Sequence, residues 1–215
     1  MSHHDEMTRR GLLKGAAGVA LLAGIGAPAI VRAQTDAIRI GHLTPRTGFL
    51  GPLGEYGVMA IDLAVEEVNA AGGVMGRKIE LIKEDSVNPQ TASTKAERMF
   101  ERDNVACILG EISSASCLTI AQVAQRNKKI FINTGGNSDA LRGGDCKKYM
   151  FHVEAQNSMY VKSVGRSFLR DGLVNGKSWY SLTADYAFGH GGFGIHAAYR
   201  EVRGWSLQFK MAATD

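Results

Sequence analysis

The stretch "VACILGEISSASCLTIAQVAQRNKKIFINTGGNSD", residues 105–139, decides the fold. It begins with VACILG, an uninterrupted apolar run of the kind found in strands that are covered on both faces. SSASCLTIAQVAQRN then predicts a helix, whose leading serines are residue types that cap helix N-termini. KIFINTG predicts a second strand. A strand, a helix and a strand joined by short turns indicate two parallel strands connected by a crossover helix.

The preceding residues show the same alternation. AIRIGHL (37–43) and KIELIKED (78–85) predict strands. NPQTASTKAERMFERD (88–103) predicts a helix with Pro89 near its first turn, where a missing N–H costs nothing. Between the two strands, the glycine-rich turn TPRTGFLGPLGEYG leads into a helix predicted over Met59–Asn69, whose apolar residues recur every three or four positions. The regular order predicts an α/β fold with a doubly wound parallel sheet.

The pattern loosens after residue 136. NSDALRGGDCKKYM is a polar loop, and MFHVEAQNSMY (150–160) predicts a strand that leaves the first sheet. A fresh alternation follows, with helices over 159–170 and 193–202 and strands over 178–186 and 205–211. We therefore predict an N-terminal α/β lobe over 34–148 and part of a second α/β lobe over 149–215. The second lobe has too few elements to cover its sheet, so we expect the chain to be a fragment of a longer protein.

The N-terminal residues have the three parts of an export signal. Arg9 and Arg10 form a basic start, and an uncharged run rich in Ala, Gly and Leu covers 16–30. VRA (31–33) supplies a small residue at a cleavage site. The apolar run is short for a bilayer span, which needs roughly 20 apolar residues. TRRGLLK resembles the twin-arginine export motif. We predict a twin-arginine signal over 1–33 and a periplasmic protein, with an uncleaved membrane anchor as the alternative.

Charge and motif content exclude several classes of function. The 215-residue chain has a net charge of +4, and no basic run is interleaved with aromatic residues, so no nucleic acid partner is expected. No two cysteines have the spacing of zinc ligands, and we expect no metal and no cofactor. The histidines are scattered, and neither a phosphate loop nor a Gly-x-Ser-x-Gly elbow is present. We therefore predict no catalytic residues, and a binding protein rather than an enzyme.

The three cysteines leave at least one thiol outside any intramolecular disulfide. Cys107 lies in the apolar run VACILG and is expected to be a buried core residue. Cys117 and Cys146 are the favoured pair for a disulfide, which an exported protein can form. Sequence alone does not establish this pairing.

The candidate binding residues follow the predicted strands, because ligands of open α/β sheets bind beyond the carboxyl ends of the strands. Ser113 and Ser114, in GEISSAS, stand where the third helix begins. Their hydroxyls, together with the free N–H groups of the first helical turn, can hold a carboxylate without a full positive charge. The alternative is that the two serines only cap the helix.

Two further turns carry candidate residues. In NTGGNSD, Gly135 and Gly136 let the backbone approach a ligand closely, and Asn137 offers both a donor and an acceptor. An ordinary Gly-Asn turn is the alternative. In DYAFG, Tyr186 and Phe188 offer flat faces that can close over an apolar ligand, or else pack in the interior.

From residue 38 to residue 215, the sequence resembles the type I periplasmic solute-binding proteins of ABC importers, and among them the branched-chain amino acid (leucine-binding) group. AVEEVNAAGGVMGRKIEL, EDSVNPQTA, VACILGEISSAS and FINTGGNSDAL carry the resemblance through their order and spacing. The resemblance implies a two-lobed clamshell that binds a small-molecule ligand between its lobes. It also implies that the closed form docks on an ABC permease at the inner membrane.

The resemblance also implies roles for individual residues. In the amino acid binders, a serine at the start of the third helix and groups after the fourth strand hold the ligand. Ser114, Gly135 and Asn137 occupy these positions here, and Asn137 stands where a threonine is usual. Phe188 stands where the second lobe often offers a tyrosine, and Leu53 where some members have an aromatic residue. The ligand is thus a branched-chain amino acid, another small carboxylate, an aromatic acid or an amide.

The leading hypothesis is therefore a solute receptor of a bacterial ABC importer, which is exported to the periplasm and binds a ligand that carries a carboxylate. A periplasmic sensor domain that reports its ligand to a signalling partner is the alternative. An exported α/β enzyme is a third hypothesis, for which the sequence offers no nucleophile and base.

Overall fold

A parallel sheet of five strands in the order β2-β1-β3-β4-β5 organises the protein. The structure is a computed structural model and describes residues 36–174, 179–191 and 207–212. The strands are β1 (Ile38–Thr44), β2 (Ile79–Asp85), β3 (Cys107–Gly110), β4 (Ile130–Asn133) and β5 (Met150–His152). The predicted export signal and the helix expected over 193–202 lie outside the described residues.

Helices connect these strands, as the sequence predicts. They are α1 (Gly51–Ala70), α2 (Pro89–Glu101), α3 (Ser114–Asn127) and α4 (Asn157–Arg170). The chain moves from β1 to β2 in one direction and from β2 to β3 in the other, so right-handed crossovers place α1 and α2 on opposite faces of the sheet. Helices α2 and α3 pack against each other on one face. The doubly wound arrangement is thereby confirmed. None of the helices in the described part of the chain is long and apolar enough to span a bilayer.

The hydrophobic core lies between the sheet and the pair α2 and α3. Ile108 of β3 and Phe131 of β4 are fully buried against Met99 of α2 and Ile120 of α3. Burial of such large side chains contributes about 1.5–3 kcal/mol each relative to the exposed state. The face of β3 and β4 that meets α2 and α3 is buried as expected, whereas Cys107 and Leu109 on the other face of β3 are only half-buried and Ile130 is exposed.

Helix α1 differs from its predicted form. It begins at Gly51, eight residues before the predicted start, because Gly54 allows the helix to lie against the preceding loop. A Cβ at Gly54 would lie 1.6 Å from the carbonyl oxygen of Pro45. The apolar stripe expected from Met59 and Leu63 is also not buried, since these side chains are 65% and 58% exposed. The helix instead buries Val58 and its small N-terminal residues.

The residues after the fourth strand also depart from expectation. The strand predicted to leave the first sheet is the three-residue β5, which pairs in parallel with β4. The Phe131 N–H donates to the Tyr149 carbonyl at 2.9 Å and fixes this pairing. A separate parallel sheet contains β6 (Trp179–Ala184) and β7 (Leu207–Ala212), as the second alternation predicts. The lobe boundary at residue 149 stays a prediction.

The expected disulfide between Cys117 and Cys146 is absent, because all three cysteines are free. Cys117 is buried, and its Sγ donates to the Asn133 Oδ1 at 3.3 Å. Cys146 is exposed. Cys107, expected in the core, is only half-buried. The thiol of Cys117 is therefore part of a buried polar contact rather than a crosslink.

Asn88 offers a direct test of a helix cap. Its side-chain oxygen accepts the Thr91 N–H at 2.8 Å at the start of α2. We expect Asn88→Ala to lower the free energy of unfolding by about 1 kcal/mol, whereas Asn88→Ser keeps a capping oxygen and loses less. Urea denaturation of both variants measures the difference, and equal stabilities would exclude a capping role.

Candidate functional site

A cleft of about 470 Å³ opens at the carboxyl edge of the first sheet. Its polar groups come from the loops after β1 and β2 and from the start of α3, and they belong to Thr47, Ser86, Asn88, Ser113 and Ser116. Its apolar surface includes Phe49, Leu50, Val87 and Tyr186. No lining residue in the described part of the chain is charged. We call this space the serine-lined cleft.

A second cleft, of about 430 Å³, lies between α1 and the sheet. His42, Leu53 and Thr134 are among its lining residues, so Leu53 borders this cleft rather than the serine-lined one. The Nδ1 of His42 is buried and has no partner among the described residues. Burial lowers the pKa of His42, so the ring is held neutral. Gly110 and Ile112 line this second cleft, whereas the next residue, Ser113, lines the serine-lined cleft.

The two serines at the start of α3 have different surroundings. Ser113 lines the serine-lined cleft and caps α3, since its Oγ accepts the Ser116 N–H at 3.4 Å. Ser114 is fully buried, and its Oγ accepts the Ser138 N–H at 3.1 Å. Ser113 therefore reaches the cleft, whereas Ser114 joins α3 to the turn after β4. Contact of either serine with a ligand stays a prediction.

Asn133, the last residue of β4, organises the glycine turn that follows. Its Oδ1 accepts the N–H groups of Gly135 and Gly136 at 3.1 and 2.8 Å. Its Nδ2 donates to the Gly136 carbonyl at 2.8 Å. A Cβ at Gly136 would lie 2.4 Å from the Cys117 Sγ, so this glycine is required by packing. The N–H groups of both glycines are thus bonded within the protein, and close approach of their backbone to a ligand stays a prediction.

Asn137 connects the glycine turn to the start of α4. Its Nδ2 donates to the Ala155 carbonyl at 2.6 Å, and its own carbonyl accepts the Asn157 N–H at 2.8 Å. The Asn157 side chain in turn donates to the Phe188 carbonyl at 2.6 Å. These bonds join the glycine turn to the start of α4, and the start of α4 to Phe188. Asn137 therefore has a structural role in the described part of the chain, and its contact with a ligand stays a prediction.

Of the two aromatic candidates, Tyr186 lines the serine-lined cleft and Phe188 does not. The rings of Tyr186 and Phe188 are tilted by 32°, with centroids 6.0 Å apart. Tyr186 lines the cleft together with Ser113. Burial raises the pKa of Tyr186, and the nearby Cys117 and Glu111 raise it further. Tyr186 is therefore a neutral phenol with an apolar face and a polar hydroxyl.

Glu111 is a buried carboxyl that the sequence analysis did not single out. It follows β3 directly and is fully buried. Its Oε1 accepts the N–H groups of Ile112 and Ser113, each at 2.9 Å. Burial raises its pKa to about 7, although the neighbouring Ser86 and these two N–H groups oppose the shift. A charged residue directly after an apolar strand is the sequence signal that marks this position.

Asp85 orders the loops that form the cleft wall. Its carboxylate accepts the N–H groups of Arg46 and Val87 at 2.9 and 3.0 Å and the Thr47 hydroxyl at 2.6 Å. Burial alone would raise the pKa of Asp85, but these hydrogen bonds outweigh it and lower the pKa. Asp85 is therefore ionised and fixes the loop after β1 to the end of β2. In the same described ranges, no cluster of His, Cys, Asp and Glu is suited to a metal ion.

Known proteins are similar to this chain in fold and in sequence. The profile of the periplasmic binding protein family matches residues 37–203. The Leu/Ile/Val-binding protein homolog 7 of Brucella melitensis biotype 1 is 37% identical over 122 residues, which are 57% of this chain and 29% of that protein. A periplasmic binding protein from Burkholderia mallei superposes with a TM-score of 0.74 at 30% identity, covering 83% of this chain and 47% of that one.

A more distant structure supports the fold alone. It is a solute-binding protein of an ABC transporter from R. palustris in complex with benzoate, with a TM-score of 0.73 at 20% identity over 83% of this chain and 48% of that one. The chain spans less than a third of the Brucella relative and about half of the two solved structures. Because the family profile covers most of the sequence, the chain belongs to the periplasmic binding protein family.

Proposed function

We propose that the protein is the solute-binding component of a bacterial ABC importer and that its ligand is a small molecule with a carboxylate on an apolar body. The observation that carries this proposal is the serine-lined cleft, which combines hydroxyls at the start of α3 with apolar surface in a chain of the periplasmic binding protein family. A helix N-terminus and hydroxyl groups stabilise a carboxylate without a cation. Twin-arginine export to the periplasm and docking on an inner-membrane permease belong to the same proposal.

The names of similar proteins support this class of ligand. The Brucella relative is named for leucine, isoleucine and valine, and the R. palustris protein was solved with benzoate. These compounds share a carboxylate joined to an apolar group. In the cleft, Ser113 would face the carboxylate, while Phe49 and Tyr186 would contact the apolar part. Ser114, Gly135, Gly136, Asn137 and Phe188 remain candidates for contacts in the whole protein.

Ligand-induced stabilisation tests the proposal. At ten times its dissociation constant, a ligand of the folded state should add about 1.4 kcal/mol to the free energy of unfolding. We expect leucine, isoleucine, valine or benzoate to have this effect in thermal unfolding of the purified protein, and the corresponding amides to have less. A protein that none of these carboxylates stabilises would contradict the proposed ligand class.

The serine at the cleft wall provides a matched pair of variants. Ser113→Ala removes a hydroxyl from the cleft, and Ser163→Ala removes an exposed one from α4. We expect only Ser113→Ala to weaken the dissociation constant, by about tenfold, since one hydrogen bond to a charged group contributes roughly 1.5 kcal/mol. Because Ser113 also caps α3, each affinity is measured by calorimetry on protein whose folding has been checked without ligand.

A further inference from the structure

Glu111 lies directly behind the wall of the serine-lined cleft. Its Oε1 accepts the N–H groups of Ile112 and Ser113, and Ser113 is both a lining residue and the cap of α3. Its Oε2 is buried and has no hydrogen-bond partner among the described residues. The carboxyl group therefore fixes the segment that presents the start of α3, and one of its oxygens is left without a bond.

The groups that face this carboxyl come from several elements. Ser86 and Asp85 come from the end of β2 and the loop after it, Cys117 from α3, and Tyr186 from the residues after β6. Asp85 is acidic and ionised, and it disfavours a second negative charge at Glu111. Cys117 and Tyr186 are held neutral, because burial raises the pKa of both. A further anion in the cleft would add to the same repulsion.

We propose that Glu111 is a positioning residue of the ligand site and takes up a proton from solvent when a carboxylate ligand binds at the start of α3. The proton adds to Oε2, the oxygen without a partner, while Oε1 keeps its two backbone N–H groups. The ligand carboxylate then adds one negative charge beside the start of α3 and Glu111 gains one proton, so this end of the cleft gains no net charge. This inference rests on the proposed function, since it needs a carboxylate in the serine-lined cleft.

The coupling has a defined pH window. In the free protein, burial places the pKa of Glu111 at about 7, so the group is protonated in acid and ionised in base. A bound carboxylate raises this pKa further, because like charges disfavour ionisation. Between the two pKa values, binding takes up as much as about one proton, and affinity falls by up to about tenfold per pH unit. Below the lower value, affinity is independent of pH.

Calorimetry measures this proton directly. Benzoate and leucine are titrated into the purified protein at a pH just above 7, in two buffers with different ionisation enthalpies, and the difference in heat gives the number of protons bound. Benzamide, which has no carboxylate, is the ligand control. Glu111→Gln keeps an acceptor for the two N–H groups and cannot titrate, and Glu66→Gln, on the exposed face of α1, is the matched control.

The outcomes separate this inference from the proposed function. Proton uptake with benzoate or leucine that is lost in Glu111→Gln and kept in Glu66→Gln supports it. Carboxylate binding without proton uptake, or with uptake that persists in Glu111→Gln, overturns it and leaves the proposed function intact. Absence of carboxylate binding at every pH overturns both. Should Glu111→Gln not fold, the unaltered protein decides, since an affinity that stays flat between about pH 6 and pH 9 contradicts the coupling.

Discussion

Replacing Asn133 by alanine is expected to destabilise the protein by about 3–5 kcal/mol. The substitution removes the acceptor of the Gly135 and Gly136 N–H groups and the donor to the Gly136 carbonyl. It also removes the acceptor of the Cys117 thiol. Each buried polar group left without a partner costs about 1–3 kcal/mol. Equilibrium unfolding in urea, followed by circular dichroism, measures the loss.

Asn127→Ala is the matched control for this substitution. Asn127 makes one side-chain hydrogen bond, from its Nδ2 to the Val123 carbonyl, at the end of α3. Its loss is expected to cost about 1 kcal/mol or less. Similar destabilisation by the two substitutions would show that Asn133 does not hold the glycine turn. A larger loss of stability in Asn133→Ala would show that the Asn133 amide holds the glycine turn in place.

Glu111→Gln is expected to stabilise the protein in base and to have little effect in acid. The folded pKa of Glu111, about 7, lies above its ordinary value of 4.5, so the folded state binds a proton more tightly than the unfolded state. Stability from this group is fully present below the unfolded pKa and is lost as the pH rises through 7. The linkage relation gives a loss on the order of 2–3 kcal/mol between about pH 5 and pH 8, which the glutamine variant avoids.

Stability curves over this pH range, without any ligand, test the prediction. The free energy of unfolding of Glu111→Gln is compared with that of the unaltered protein and of Glu66→Gln, whose carboxylate is exposed on α1. We expect the free energy of unfolding of Glu111→Gln to rise above that of the unaltered protein as the pH rises, and that of Glu66→Gln to follow the unaltered protein. Curves that run parallel through neutral pH would contradict a raised pKa at this position.

The order of strands and helices was predictable because each element carries a local pattern. VACILG is apolar throughout and KIFINTG has the apolar run Ile130–Ile132, and each segment forms a strand packed against the helices of the first lobe. The start of α1 was not predictable in the same way. Gly54 is a turn residue by local preference, but here it permits close contact with the Pro45 carbonyl within a helix. Such a contact depends on a loop that precedes the helix and has no sequence pattern of its own.

The candidate site was predictable in position but only partly in its residues. Ser113 and Tyr186 line the cleft, because loops at the carboxyl ends of parallel strands meet at one edge. Asn133 and Glu111 were missed, since their roles depend on partners in neighbouring turns that only the folded chain brings together. A polar residue that ends a buried strand, or directly follows one, was the available signal at both positions.

Membership of the periplasmic binding protein family, expected from the resemblance, is confirmed by the family profile. The same match confirms the prediction of a binding protein rather than an enzyme, because the family consists of solute-binding proteins. The identity of the ligand stays a proposal. At Asn137, where the resemblance implies that a threonine is usual, the side-chain amide donates to the Ala155 carbonyl in the described residues.

Because the described lining of the serine-lined cleft is uncharged, the affinity for a ligand should depend little on the salt concentration of the medium. Surface ion pairs weaken as dissolved salt screens them over a Debye length of about 8–10 Å, whereas partly buried contacts are screened much less. In the proposed complex, a carboxylate at Ser113 and the start of α3, with no cation among the lining groups described, should keep most of its affinity as ionic strength changes. Occupancy of the cleft would then follow the concentration of the solute rather than the salinity of its surroundings.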